Sequence, residues 1–182
     1  LNNLALLYSN HSKYAQAEAL YQRSLTICER QLGPKHPHTA ASLNNLAELY
    51  ESQGKYAQAE PLLQEAVAIW EQQFGSEHPS TAIGLNNLAR LYQRQGKHEI
   101  AGSLYRRSVA IQNQRLSPEH PDTATSLSNL AGLYESQGKY AQAEPLYQRA
   151  LTIRERQLGA EHPDTATSLN HLAGFYRAQG KY

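Results

Sequence analysis

The segment Leu43-Asn44-Asn45-Leu46-Ala47 decides the fold, because it returns every 42 residues along the chain. The copies read Leu-Asn-Asn-Leu-Ala at Leu1 and Leu85, Leu-Ser-Asn-Leu-Ala at Leu127, and Leu-Asn-His-Leu-Ala at Leu169. A fixed period of this length is the signature of a solenoid, in which each repeat is one supersecondary unit that stacks on its neighbours. We therefore predict a repeat protein whose function depends on a long continuous surface.

Each repeat contains the pattern of two helices. From Leu43 to Tyr50, leucine, alanine and tyrosine recur at the spacing of one helical face, which defines helix A. Helix A should begin at His36-Pro37, since proline suits the first helical position, and should end near Gly54, which tolerates a left-handed cap. A second apolar face over residues 59–74 defines helix B, which should end near Gly75. Two helices per repeat predict an all-α chain.

The repeats predict one continuous array over residues 1–182. It should open with a partial helix A at residues 1–11 and close with a helix A at residues 163–179 that has no helix B to cover it. The absence of an initiator methionine suggests a piece cut from a longer array.

Small and large residues at set positions of the second repeat resemble the tetratricopeptide repeat signature, namely Leu43, Leu46, Ala47, Tyr50, Gly54, Tyr56, Ala59 and Ala66. The usual repeat has about 34 residues, and the longer form here carries Gly-x-x-His-Pro-Asp/Ser-Thr-Ala before Leu-Asn-Asn-Leu-Ala. This form resembles the repeats of kinesin light chain and its bacterial relatives. The resemblance implies a right-handed α-α superhelix, a solenoid of antiparallel helix hairpins, whose concave groove is lined by helix A.

The same resemblance implies a protein-binding function. In kinesin light chain such repeats bind cargo and adaptor peptides, whereas bacterial relatives carry similar arrays attached to signalling and other domains. We expect a peptide segment of a partner to bind in the concave groove. A structural or regulatory array that packs on another domain of its parent protein is the alternative, as is self-association through uncapped ends that carry Leu169, Leu172 and Tyr176.

Helical geometry identifies the residues opposite the apolar face of helix A. At 100° per residue this stripe contains Asn45 and Glu48, with Asn44 beside it. The candidate groove residues over the repeats are Asn3, Asn45, Asn87, Asn129, Asn44, Asn86, Glu48, Arg90 and Arg94. An asparagine amide offers both a donor and an acceptor, as a bound peptide backbone requires. The groove asparagines of kinesin light chain contact bound peptides, which the resemblance extends to this row.

Two readings of these side chains stay open. The asparagines either contact a ligand or bond the next repeat and hold the superhelix together. Arg90 and Arg94 lie four residues apart on one helical face and can receive a carboxylate. They can equally pair with Glu48 and Glu51 of the preceding repeat, which would leave a charge-balanced groove suited to a mixed-charge peptide.

Composition argues against several other functions. The chain has 17 basic and 16 acidic residues and no basic stripe, which argues against a nucleic-acid partner. No apolar run approaches the roughly 18 residues of a membrane span, and no signal segment precedes the repeats, so we expect a cytoplasmic protein without a membrane partner.

Catalysis, cofactors and metal binding find no support in the pattern. Four of the eight histidines, His36, His78, His120 and His162, are spaced by whole repeats in successive loops, too far apart to share one metal ion. Cys28 is the only cysteine, and we interpret it as a packing residue. No nucleophile and base stand outside the repeat pattern, so we predict no catalytic residues, no cofactor and no enzyme activity.

Overall fold

The computed structural model describes Ala5, Leu7, Tyr8 and residues 13–180, and this part of the chain contains eight long α-helices and no strand. Their bounds are α1 Tyr14–Leu32, α2 Pro37–Ser52, α3 Tyr56–Phe74, α4 Pro79–Arg94, α5 His98–Arg115, α6 Pro121–Ser136, α7 Tyr140–Leu158 and α8 Pro163–Ala178. The all-α class predicted from the sequence is confirmed. Most of the expected partial helix at residues 1–11 lies outside the described residues.

Helices α2, α4, α6 and α8 form the helix A series, and each is 16 residues long. Each begins with proline directly after a histidine in extended conformation, whose Nδ1 accepts the backbone N–H two residues later. In α4, the N–H of Ser80 donates to His78 at 3.1 Å. A side-chain acceptor at this position satisfies an otherwise unbonded donor of the first turn. The repeated His-Pro pair therefore starts each of these four helices.

Helices α1, α3, α5 and α7 form the helix B series. Three of them span 19 residues and end at a glycine with positive φ, as α3 does at Gly75 with φ +93°. Helix α5 ends one residue earlier, at Arg115, because Ser117 stands where the other repeats have glycine. The third repeat is thus the one that departs most from the pattern at this end.

Residues 1–95 form one compact unit, unit 1, and residues 96–182 form a second, unit 2. In unit 1, α1, α2, α3 and α4 contact one another in chain order, and α2 also contacts α4. In unit 2 the helices α5 to α8 follow the same order, with α6 also touching α8. Consecutive members of the helix A series are therefore neighbours within each unit, and their side chains can form one surface.

Small residues allow the helices to approach closely. Ala47 of α2 and Ala59 of α3 are both fully buried. Between repeats, Trp70 of α3 packs against Gly84 of α4 so tightly that a Cβ built on Gly84 would lie 2.8 Å from the indole. The side chain at each contact surface is thus matched to the space its neighbour leaves.

The residue corresponding to Trp70 changes in every repeat, and we call this series the interlock position. Its members are Cys28, Trp70, Gln112 and Arg154, and the small residues one repeat apart on the following helix A are Ser42, Gly84, Ser126 and Ser168. Cys28 Sγ lies 3.5 Å from Ser42 Oγ, and Arg154 donates to Ser168 Oγ at 2.7 Å. The contacts of Cys28, Trp70 and Arg154 therefore differ in chemistry at equivalent places of the repeat.

Candidate functional site

The helix A face of unit 1 carries a polar network that joins α2 to α4. Asn87 Nδ2 donates to Glu48 Oε1 at 2.7 Å and to Asn44 Oδ1 at 2.9 Å. Asn44 Nδ2 in turn donates to the same Glu48 oxygen at 3.3 Å. Asn87 is only 5% exposed. Its amide therefore bonds mainly with the neighbouring helix.

A second cluster, one to two turns further along the same helices, consists of Glu51, Arg90 and Arg94. The Glu51 carboxylate is 4% exposed and accepts from Arg90 Nε at 2.9 Å and Arg90 Nη2 at 3.0 Å. It also accepts from Arg94 Nε at 2.9 Å. Two-point contact between a guanidinium and a carboxylate is the strong form of this bond. A buried carboxylate thereby gains two positive partners, and the arginines are held in fixed orientations.

These ionic residues border an open cleft of about 640 Å³. Its lining residues are Glu48, Glu51, Ser52, Gln53, Gly54, Tyr56, Arg90 and Arg94. The Arg94 side chain is 55% exposed, and only its Nε donates within the described part of the chain. Both terminal amino groups of Arg94 thus remain available to a carboxylate or carbonyl oxygen of a ligand.

The remaining candidate asparagines differ in exposure. Asn44 and Asn86 are buried at 6% exposed each, whereas Asn45 and Asn129 are half-buried. Asn3 lies outside the described residues. The predicted row is therefore uneven, since half-buried amides leave more polar surface toward solvent than the buried ones do.

The helix A face of unit 2 has different chemistry. Gly132 and Gly174 stand where unit 1 has Glu48 and Arg90, so the arginines that could neutralise Glu135 are missing. Glu135 accepts instead from the hydroxyl of Tyr147 at 2.8 Å. Burial, followed by this bond and the charge of Glu135, raises the pKa of Tyr147 well above its ordinary value.

His171 of α8 occupies the row position that holds asparagine in the preceding repeats. Its ring lies 6.1 Å from that of Tyr147. Burial and the charge of Arg154 lower the pKa of His171, and the charge of Glu135 opposes them. Arg154 and Glu135 therefore both influence the protonation of His171 on the helix A face of unit 2, although Arg154 lies on a helix B.

Sequence reasoning missed the contributions of Glu135, Tyr147 and Arg154. A signal for Glu135 was present, because it matches Glu51 while its expected arginine partners are replaced by Gly174 and Ala178. No signal distinguished Arg154, since the interlock position varies freely in the sequence. Its placement depends on three-dimensional packing.

Neither a membrane-spanning helix nor a metal-binding cluster is present among the described residues. No helix there is both long and apolar enough to cross a membrane. No three histidine, cysteine or acidic side chains of that part come together in a way that could hold a metal ion.

Known proteins similar to this chain are built from the same kind of repeat. The family model described as tetratricopeptide repeat matches residues 1–72, 43–114, 80–156 and 122–182. Among solved structures, a Podosopora anserina candidate kinesin light chain with nearly identical TPR-like repeats is 33% identical, with a TM-score of 0.77 over 99% of this chain and 85% of that one. A substituted variant of that protein is likewise 33% identical, with a TM-score of 0.79 over the same shares.

BtubC (BKLC) from P. vanneervenii is 26% identical, with a TM-score of 0.81 over 98% of this chain and 71% of that one. The comparison with curated proteins finds no match. The matched family and structures define a helical repeat protein. The chain belongs to the tetratricopeptide repeat family, and its repeats are of the kinesin light chain-like type. Repeats of this family generally mediate protein–protein interaction and are typically non-enzymatic.

Proposed function

We propose that the chain binds a peptide segment of a protein partner on its helix A face, with the cleft of unit 1 as the main contact. The observation that carries this proposal is the orientation and exposure of the Arg94 side chain. Its Nε is fixed by the buried Glu51 carboxylate, while its terminal amino groups border the open cleft. A donor that is already oriented loses little entropy on binding, which favours its use in recognition.

The candidate residues divide into two roles under this proposal. Arg94, Glu48 and Asn45 contact the ligand, because they are at least partly exposed on this face. Asn129 has the same role in unit 2. Asn44, Asn86 and Asn87 are buried and act as positioning residues, and Arg90 holds Glu51. Since Glu48 and Arg94 carry opposite charges, the unit 1 cleft should prefer a segment that carries both a basic and an acidic side chain.

The proposal can be tested without a known partner. Short random peptides displayed on phage would be selected on the unmodified chain, and the affinity of the selected peptides measured by fluorescence polarisation. Arg94→Ala removes charge-assisted bonds of about 1.5–3 kcal/mol each, so we expect affinity to fall by about tenfold or more. Arg23→Ala is the matched control, because Arg23 is an exposed arginine of α1 away from this face.

Equal affinities for Arg94→Ala and the unmodified chain would contradict the proposal. Selection should also be repeated on a chain carrying both Arg94→Ala and Asn45→Ala. Recovery of the same peptides from that variant would show that binding occurs elsewhere.

A structural array is the second candidate function, and the burial of Asn87 favours it. Asn87 bonds Asn44 and Glu48 and so holds neighbouring helices together. Under this alternative, Asn87→Ala lowers the free energy of unfolding, while Arg94→Ala leaves the affinity for the selected peptides unchanged. Packing on another domain, self-association and a cytoplasmic location stay predictions, as does the absence of enzyme activity in this particular chain.

A further inference from the structure

Arg154, the interlock residue of α7, is a buried cation. It is 8% exposed and lies between α6 and α8 of unit 2. Nη1 donates to Ser168 Oγ at 2.7 Å and to the Asp164 carbonyl oxygen at 3.3 Å, and Nη2 donates to Thr125 Oγ1 at 3.2 Å. All three acceptors are neutral, so these bonds orient the guanidinium but give it no charged partner in direct contact. Burial lowers the pKa of Arg154, and the charge of Asp164 opposes this effect.

A buried arginine usually forms a direct ion pair with a carboxylate, and Arg154 forms none with the described residues. No carboxylate in the described part of the chain lies within 4.0 Å of the Arg154 guanidinium. The Asp164 carboxylate is 61% exposed and lies 3.9 Å from His162 Nδ1. Glu135 is ten residues from Thr125 on α6, about 15 Å along the helix at 1.5 Å per residue. A buried arginine is normally paired with an opposite charge, so Arg154 lacks the carboxylate contact that would offset its loss of hydration.

Two of the N–H donors of Arg154 are not used by these bonds. A guanidinium has five N–H groups, and the bonds above use three of them. Nε has no acceptor within the described residues, yet it is not among the buried polar atoms that are sealed without a partner. Thr125, the acceptor for Nη2, is itself exposed on α6. The guanidinium therefore keeps two unused N–H groups next to a threonine on the exposed surface of α6.

We propose that Arg154, with the Thr125 hydroxyl, forms a carboxylate-binding site on the helix A face of unit 2, which receives an aspartate or glutamate side chain of the peptide partner. The proposal rests on the proposed function, because it assigns one ligand group to the same recognition surface. A carboxylate at this place would accept from Nε and Nη2 in the two-point geometry that arginine favours. The ligand carboxylate would also place a negative charge in direct contact with the guanidinium.

The charges around the site define which ligand it accepts. His171 of α8 is also affected by this charge: burial and Arg154 lower the pKa of His171, and Glu135 opposes them. The charge of Asp164 acts on Arg154 and that of Glu135 acts on His171, but within the described residues neither carboxylate contacts the guanidinium. Unit 1 differs in this respect, because its two arginines share direct contact with the Glu51 carboxylate. A lone acidic side chain should therefore bind at unit 2, whereas the unit 1 cleft takes a segment that carries both charges.

The test uses the full chain and two blocked tripeptides, acetyl-Gly-Glu-Gly-amide and its glutamine counterpart. Binding is followed by NMR through the Nε–H signal of Arg154 and the backbone amide of Thr125. We expect a saturable shift with the glutamate peptide and none with the glutamine peptide. Arg154→Gln should weaken binding of the glutamate peptide by about tenfold, the effect of losing a charge-assisted pair. Gln112 holds this position in the preceding repeat, so the variant copies a residue that the fold already accommodates.

Other variants separate a structural role from a binding role. Arg154→Lys retains the charge and should retain part of the affinity, and Asp164→Asn should raise affinity by removing a competing carboxylate. If Arg154→Gln binds the glutamate peptide as well as the unmodified chain does, the proposal is wrong. Binding of inorganic sulfate at Arg154 without binding of the glutamate peptide would likewise overturn it, since the site would then serve a free anion.

The outcome is distinguishable from a failure of the proposed function. Arg94→Ala, in unit 1, should leave the Arg154 signal and its response to the glutamate peptide unchanged. Loss of selected-peptide binding in Arg154→Gln but not in Arg94→Ala would uphold this site and reject the cleft of unit 1. The reverse pattern would reject this site alone.

Discussion

Gly84→Ala tests the tight contact between α3 and α4 with the smallest possible change. The added Cβ would lie 2.8 Å from Trp70 Cζ3 and 2.8 Å from Val67 Cγ2. Both neighbours are buried, at 6% and 7% exposed, and valine is stiff at χ1. Neither side chain can withdraw without moving the helix that carries it.

The size of the effect follows from two opposing terms. Overpacking a core of this kind costs about 1–3 kcal/mol, and contact with two buried side chains places Gly84→Ala near the upper end. Replacing glycine by alanine inside a helix gains about 1 kcal/mol. We therefore expect a net loss of about 2 kcal/mol in the free energy of unfolding.

Gly174→Ala is the matched control, because Gly174 also lies inside a helix A and nothing stands within 4 Å of its added Cβ. It should stabilise the chain by about 1 kcal/mol. Urea unfolding followed by far-ultraviolet circular dichroism compares the two variants, and the fluorescence of Trp70, the only tryptophan, reports on the disturbed contact directly. If Gly84→Ala proves as stable as Gly174→Ala, the inferred steric conflict does not exist.

Four further predictions concern the helix A face and its support. Glu51→Gln should destabilise the chain by about 1–3 kcal/mol in urea unfolding, because two arginines lose their common carboxylate; no change would mean that water replaces it. Asn87→Ala should cost about 1–3 kcal/mol, because Asn44 Oδ1 loses its donor and Glu48 loses one of its two amide donors. Asn45→Ala should stay within about 0.5 kcal/mol, and equal losses would contradict the division of roles. Burial and Glu135 raise the pKa of Tyr147 above its ordinary 10.0, so the folded chain favours the neutral phenol. The contribution of Tyr147 to the free energy of unfolding is therefore fully present below pH 10 and is lost progressively above it. The advantage of the unmodified chain over Tyr147→Phe, about 1 kcal/mol at pH 8, should shrink above pH 10, and an advantage that grows there would refute the assignment. Trp70→Cys should rescue part of the loss caused by Gly84→Ser, because the pair then copies Cys28 and Ser42; strictly additive losses in a double-mutant cycle would show that the two positions are independent.

The fold was predictable from the sequence because its signals are local and repeated. His-Pro at the start of α2, α4, α6 and α8, and glycine near the end of every described helix but α5, act through backbone geometry that does not depend on distant residues. Because the helix pattern recurs every 42 residues, an assignment that would be weak for one repeat is supported by all of them. The expected last helix A over residues 163–179 corresponds to α8, Pro163–Ala178.

The candidate site was predictable only in outline. Helical periodicity places Asn45 and Asn87 at equivalent positions, yet Asn87 is buried and Asn45 is half-buried. Identical positions differ because the neighbouring repeat supplies Asn44 and Glu48 as acceptors, a contact between helices that no periodicity within one helix contains. Pairing of Glu51 with Arg90 and Arg94 was among the open readings, and it is the one that the structure contains.

The interlock position also constrains how such a gene can change length. Unequal crossing-over between similar repeats would readily delete one repeat and would preserve the reading frame and every helix. Deletion of residues 76–117, for example, would bring Trp70 opposite Ser126 in place of Gly84, which has no side chain. Similar repeats are therefore not interchangeable, because the order of the repeats determines which side chains meet at this contact.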